Sequence, residues 1–189
     1  MGKEDDIRRA VEVLREGGVI LYPTDTVWGI GCDATNDEAV RRVCEIKGRA
    51  VGKGLICLVD TADRVQLYVR HVPEVAWDLM DLANKPLTLV LDGGKNLSPL
   101  VLAGDGSLGV RVTHEEVSSE ICRRLRKPVV STSANVSGEP APCCFDEISE
   151  SIKALADYIV LAGCKERKGV LPSSIVKLTA DGYVTIIRK

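Results

Sequence analysis

A chain of 189 residues with 25 Lys and Arg against 27 Asp and Glu carries a net charge of −2. That length suits one domain with a sizeable core, and the slight acidity argues against a protein devoted to gripping nucleic acid. No apolar run reaches the roughly 18–20 residues of a membrane span, and the mixed-charge start is unlike a secretory leader, so a cytoplasmic location with no membrane partner is expected.

Ile7, Ala10, Val11 and Leu14 recur at helical spacing, and Gly17 with Gly18 ends that helix. Residues 19–22 read as a buried strand, the PTDT that follows as a turn, and residues 27–31 as extended chain. Asn36 caps a helix with Val40, Val43 and Cys44 inward and Lys47 in its last turn. Residues 55–59 form a continuous apolar run, most simply a central strand. Helices follow around 62–68 and 74–82, then a strand at 87–91. Gly, Ser and Pro make 92–106 a loop.

A strand is expected at 108–112. Thr113 and Glu116 suggest a capping box for a helix with Val117, Ile121 and Leu125 inward, which makes His114 an early helical residue. Residues 129–130 form a short strand, and Ile148, Ile152 and Leu155 mark a last helix. Strands at 158–161, 175–178 and 184–187 complete the chain, the last two as a hairpin around Asp181 and Gly182. Alternating strands and helices indicate an α/β fold, and the hairpin makes the sheet mixed.

Seven cysteines, Cys32, Cys44, Cys57, Cys122, Cys143, Cys144 and Cys164, form no CxxC pair. Cys44, Cys57 and Cys122 fall in apolar patterns and read as buried thiols. The adjacent Cys143 and Cys144 are the pair most open to oxidation. Basic residues cluster at Arg41, Arg42, Lys47, Arg49 and Lys53, with Glu45 the one acid among them. A second cluster, Arg123, Arg124, Arg126 and Lys127, closes a helix and reads as compensation of the helix dipole.

Three segments hold the small polar and basic residues a ligand would need. In PTDTVWGIG (23–31), Thr24 and Thr26 offer hydroxyls beside glycines, although alone the segment reads as a hairpin, and Trp28 suits packing or ring stacking. In KGRAVGK (47–53), Lys47, Arg49 and Lys53 offer cations for a polyanion, with Arg49 able to fork two phosphate oxygens. It lacks the Walker A pattern. STSANVSG (131–138) places Ser131, Thr132, Ser133, Asn135 and Ser137 just after a strand, where ligands gather in open α/β sheets. Arg111 sits in an apolar strand and needs an anion or several carbonyls. Ser173 and Ser174 directly precede another strand.

In this order, PTDTVWGIGCDA, KGR with Lys53, GVRV, STSAN followed by SGEPAP, PSSIV and Arg188 resemble the YrdC/Sua5 family of threonylcarbamoyl-adenylate synthases. The resemblance runs from about residue 19 to 188, and it is to the short YrdC type, without the extra C-terminal domain of Sua5. It implies one YrdC-like domain over 1–189, core about 7–188, with a twisted, mixed open sheet, flanking helices and a concave basic ligand cleft. It also implies a nucleotidyltransferase that converts L-threonine, bicarbonate or CO2, and ATP to threonylcarbamoyl-AMP and pyrophosphate. The product would pass to a separate transferase complex for t6A modification at adenosine 37 of tRNAs reading ANN codons. Mg2+ is expected with ATP, although no carboxylate stands out as its ligand.

By the same resemblance Lys47, Arg49, Ser133 and Asn135 are the catalytic set. ATP falls to Arg49, Lys53, Ser107, Ser133, Asn135, Ala141 and Arg188, and L-threonine to Thr26, Arg111, Ser131 and Ser173. A carbamate nucleophile is already anionic, so positioning and charge neutralisation would carry the catalysis. Departures from the family pattern are Trp28 for a tyrosine or phenylalanine, Gly54 for a proline, Lys177 for an acid, and a basic stretch at 164–169. Two alternatives stand beside the synthase: a YciO-type paralogue with another substrate, or a tRNA or double-stranded RNA-binding module using the cluster at 41–53.

Overall fold

The computed structural model describes residues 2–163 and 172–189; Cys164 and the basic stretch at 164–169 lie outside them. Its helices are α1 (Lys3–Arg15), α2 (Asp37–Ile46), α3 (Val65–Tyr68), α4 (Glu74–Leu82), α5 (Glu116–Leu125) and α6 (Glu150–Leu155). Its strands are β1 (Ile20–Tyr22), β2 (Gly29–Gly31), β3 (Ile56–Val59), β4 (Leu87–Leu91), β5 (Leu108–Val112), β6 (Val129–Ser133), β7 (Tyr158–Ile159), β8 (Ser174–Leu178) and β9 (Val184–Arg188). The strands form one sheet in the order β7-β1-β2-β6-β3-β5-β4-β8-β9. The pairs β1–β7, β3–β5 and β4–β8 are parallel and the others antiparallel, so the α/β fold with a mixed open sheet is observed.

Strand alternation sorts the core onto the two faces of this sheet. Ile20, Tyr22, Leu58 and Val129 pack with Ile7, Ala10, Val11 and Leu14 of α1 and with Val117, Ile121 and Leu125 of α5. Their neighbours Leu21, Cys57, Val59 and Val130 turn the other way, toward Val40, Val43 and Cys44 of α2 and Ala76 and Met80 of α4. Each large aliphatic side chain buried this way contributes about 1.5–3 kcal/mol. Cys32, Cys44, Cys57 and Cys122 are buried, and burial pushes the Cys57 thiol up to about 12. Cys143 is exposed.

Local signals explain most boundaries. Asn36 caps α2 by accepting from Ala39 N at 3.0 Å. The β8–β9 hairpin turns at Gly182, whose φ of 82° suits glycine. Two expectations change. The cap of α5 is Glu115, whose carboxylate accepts from Val117 N and Ser118 N at 3.1 and 2.7 Å. Thr113 instead shares a 2.7 Å hydrogen bond with the Ser118 hydroxyl, and His114 precedes the helix. Ser131, Thr132 and Ser133 belong to β6 itself rather than to a loop beyond it, because β2 and β3 pair with them on either side. Gly31 serves that same strand packing. A Cβ there would stand 1.8 Å from Val130 O, so only glycine lets β2 approach.

Candidate active site

α1 and α5 cover only part of their face of the sheet. The rest is the floor of a cavity of about 560 Å³. Strand register builds that floor: Ser131 pairs with Ile56, Ile56 with Gly109, Gly109 with Val90, and Val90 with Lys177. All five residues line the cavity, in one row across β6, β3, β5, β4 and β8. At Gly109 the row carries no side chain, so a flat group meets bare backbone there. A second row runs Thr88–Ile175–Arg188, again entirely in the lining.

Arg111 closes one end. Its side chain is 4% exposed, its Nη2 lies 3.0 Å from Asp25 Oδ1, and it reaches Thr26 Oγ1 at 3.4 Å. Arg111 Nε and Asp25 Oδ1 are nevertheless buried without a hydrogen-bond partner among the described residues. Arg111 also lines the cavity, and its planar fork is the group there that suits a carboxylate. Burial holds the Asp25 carboxyl above its usual range, partly offset by the Arg111 charge. Thr24 braces Thr26 by accepting from its backbone N–H at 3.1 Å. Close by, Ser173 and Thr88 share a 2.8 Å hydroxyl contact, and Arg188 Nε donates to Ser173 O at 2.9 Å.

The other end is the loop after α2. Arg49 donates to the carbonyls of Lys53 and Gly54 at 3.0 and 2.8 Å, which folds the loop over Gly52 and Gly54. Both glycines have positive φ, 81° and 67°. Lys53 pairs with Ala103 as an isolated bridge, beside Ser107 and Ala141 in the lining. Among the described residues the lining holds five cations, Arg49, Lys53, Arg111, Lys177 and Arg188, and no carboxylate. Such a cavity selects anions.

Of the residues assigned by the family resemblance, all except Lys47 and Asn135 line this cavity; Thr24, Ser137 and Ser174, singled out from their segments, do not. Lys47 is buried, and its ammonium donates to the carbonyls of Ser133 and Asn135, the latter at 2.6 Å. The Asn135 amide donates to Val136 O at 2.9 Å and Glu139 O at 2.8 Å. These two side chains join the α2 end to the loop after β6, and Lys47 shapes the cavity from behind. Burial, with the Arg49 charge second, pushes the Lys47 pKa down to about 8.

The basic cluster at 41–53 is not one surface. Arg42 pairs with Asp157 through two oxygens, Lys47 is buried, and Arg49 and Lys53 face the cavity. Sequence reasoning passed over Asp25, Thr88 and Asp105 and took Lys177 only as an oddity. A polar residue at an inward position of the apolar strands LTLVL and SIVKL was the available signal for Thr88 and Lys177. Asp25 had none beyond its place between two threonines. Trp28 packs as expected: it is buried at the cavity wall and meets Phe145 at 5.4 Å between ring centroids, tilted 53°.

Residues 12–189 match the Sua5_yciO_yrdC family, described as "Telomere recombination". The chain is 34% identical over 155 residues to the threonylcarbamoyl-AMP synthase of Hydrogenovibrio crunogenus, covering 79% of this chain and 83% of the relative. Among solved structures it is similar to P. abyssi Sua5 complexed with L-threonine, with a TM-score of 0.86 and 27% identity over 94% of this chain. It spans about half of that longer protein, 52% of its length. E. coli YciO is similar too, with a TM-score of 0.85 and 27% identity over 100% of this chain and 90% of its own.

Proposed function

The chain belongs to the Sua5/YciO/YrdC family, and on that premise we propose that it makes threonylcarbamoyl-AMP and pyrophosphate from L-threonine, bicarbonate or CO2, and ATP. One observation carries this reading. A single cavity joins Arg111 at one end to Arg49 and Lys53 at the other, with no carboxylate in the described lining. An amino acid and a nucleotide polyphosphate are both anionic where those cations stand.

The residues take roles that follow from their positions. Arg111 forks the threonine carboxylate, with Thr26, Ser131 and Ser173 around the rest of the amino acid. Arg49, Lys53 and Arg188 neutralise the polyphosphate, with Ser107, Ser133 and Ala141 along the rest of the nucleotide, whose ribose and base carry donors. The threonine amine, once it has added CO2, presents a carbamate oxygen. That oxygen bonds to the α-phosphorus as the bond to the bridging oxygen breaks, and pyrophosphate leaves with the electron pair. Negative charge moves toward the leaving group, so fixed cations at that end lower the barrier. Lys47 and Asn135 act by holding the wall in place. Mg2+ would come with ATP as part of the substrate.

The product would supply t6A synthesis through a separate transferase in the cytoplasm. Incubation with ATP, L-threonine and bicarbonate tests the reading through threonine-dependent pyrophosphate release, reduced by roughly tenfold or more in Arg49→Ala. Release no greater than that of the variant overturns it.

A second reading, a YciO-type paralogue, rests on equal likeness to that structure: identity is 27% to both YciO and Sua5, with TM-scores of 0.85 and 0.86. Rescue of a strain lacking t6A separates the two. An RNA platform has less support, since the cluster that suggested it is divided between an ion pair, a buried lysine and the cavity.

A further inference from the structure

Lys177 and Asp105 belong to no part of the assignment above, yet they meet at the rim of the same cavity. Lys177 ends the floor row that starts at Ser131, and its side chain lines the cavity. Its ammonium donates to Asp105 Oδ2 at 2.7 Å. The other oxygen of that carboxylate, Oδ1, accepts from the Ser107 hydroxyl at 2.6 Å and from Ser107 N at 3.0 Å. Ser107 O in turn accepts from Ala103 N at 2.9 Å, and Ala103 is bridged to Lys53. An unbroken chain of polar contacts thus runs from β8 through the 103–107 turn to the loop that carries Lys53.

We infer that the Lys177–Asp105 pair is a clasp that positions Ser107 and Lys53 for the nucleotide, rather than a contact to the nucleotide itself. The inference rests on the functional reading above, which puts ATP beside those two residues. Three features support it. The pair is partly open to water, with side chains 31% and 53% exposed, and such pairs add little to stability. Ser107 is buried at the cavity wall with its hydroxyl proton committed to Asp105, which leaves the oxygen's lone pairs oriented for a donor on the ligand. Lys177 and the two Ser107 donors also hold the Asp105 carboxyl well below the usual carboxylate range, so the clasp stays charged at neutral pH.

The sign of one substitution separates clasp from contact. Asp105→Asn removes a negative charge beside a polyanion, so if Lys177 bound phosphate directly, the variant would bind Mg·ATP as well as the native protein or better. The clasp requires the opposite, a loss of roughly tenfold in affinity for Mg·ATP by calorimetric titration. Lys177→Met shows a similar loss, Lys177→Arg retains most of the affinity, and Asp105→Asn combined with Lys177→Met is no worse than either alone. In turnover the loss falls on the KM for ATP, with kcat and the KM for threonine within about twofold of native.

Unchanged or tighter ATP binding by Asp105→Asn, or fully additive losses in the double variant, overturns the inference. Absence of ATP binding by the native protein overturns it as well. The titration needs no turnover. A native protein that binds ATP but releases no threonine-dependent pyrophosphate therefore refutes the synthase reading and still lets the variants judge the clasp.

Discussion

Asp25 Oδ1 stands 3.0 Å from Arg111 Nη2, deep in the wall of the cavity, yet neither that oxygen nor Arg111 Nε makes a hydrogen bond among the described residues. The pair balances charge without saturating it. Asp25 keeps a buried guanidinium compensated. Asp25 itself is not part of the lining, so its role is to hold Arg111.

Removing Asp25 therefore affects fold and threonine together. Asp25→Ala leaves a buried cation alone and lowers stability by about 3 kcal/mol. Arg111→Lys keeps the charge but loses the fork, and raises the KM for threonine by roughly tenfold or more with little change for ATP. Chemical denaturation and paired KM measurements check both. Equal effects on the two substrates would contradict the assignment of Arg111 to the amino acid.

Two strand glycines separate site from scaffold. A Cβ at Gly109 meets nothing closer than 3.4 Å and projects from the floor row. Gly109→Val is expected to keep stability within about 1 kcal/mol and to abolish ATP binding by filling the floor. Gly31→Ala forces a methyl against Val130 O and costs at least about 3 kcal/mol. A melting curve and a nucleotide titration on each variant distinguish the cases.

Lys47 makes stability depend on pH in a particular direction. Its folded-state pKa is about 8, against an ordinary 10.5. Between those values the unfolded chain holds the proton and the folded protein does not, so stability rises with pH across the window. That contribution is lost as pH falls through about 8. The neutral amine can still donate to the carbonyls of Ser133 and Asn135. Lys47→Met loses those bonds, at about 2–3 kcal/mol. The stability gap between native protein and variant should widen from about pH 7 to about pH 9.5. A gap that narrows would mean Lys47 is stabilised in its charged form.

Trp28 should report on occupancy. It lines the cavity and leans on Phe145, whereas Trp77 lies on α4 outside the lining. Intrinsic fluorescence is expected to change on adding Mg·ATP, to lose that response in Trp28→Phe and to keep it in Trp77→Phe. A response that survives Trp28→Phe would place the nucleotide away from this wall.

Much of this was legible in local sequence. The spacing of Ile7, Ala10, Val11 and Leu14, the cap at Asn36 and the hairpin around Gly182 all appear where expected. The α5 cap was misread, because Thr113 and Glu116 have the right spacing but Glu115 is better placed and Ser118 takes the Thr113 hydroxyl. In the site, motif order located the Arg49 loop, the Arg111 strand and the β6 end. It did not separate Lys47 and Asn135, which brace the wall, from Arg49 and Ser133, which face the cavity. Both kinds of residue are polar, and polarity alone does not say which way a side chain turns.

Local sequence is enough to establish that strands and helices alternate, where most of them start and stop, and which short segments carry the polar and basic side chains. Those properties depend on caps, turns and spacing within a few residues. The folded chain alone shows that Ser131, Ile56, Gly109, Val90 and Lys177 form one row, that Asp25 backs Arg111, and that Lys177 reaches Asp105. Register is the cause. Pairing brings residues far apart in the chain onto one face of the sheet, and burial then assigns each cation to a ligand, a carboxylate or a carbonyl.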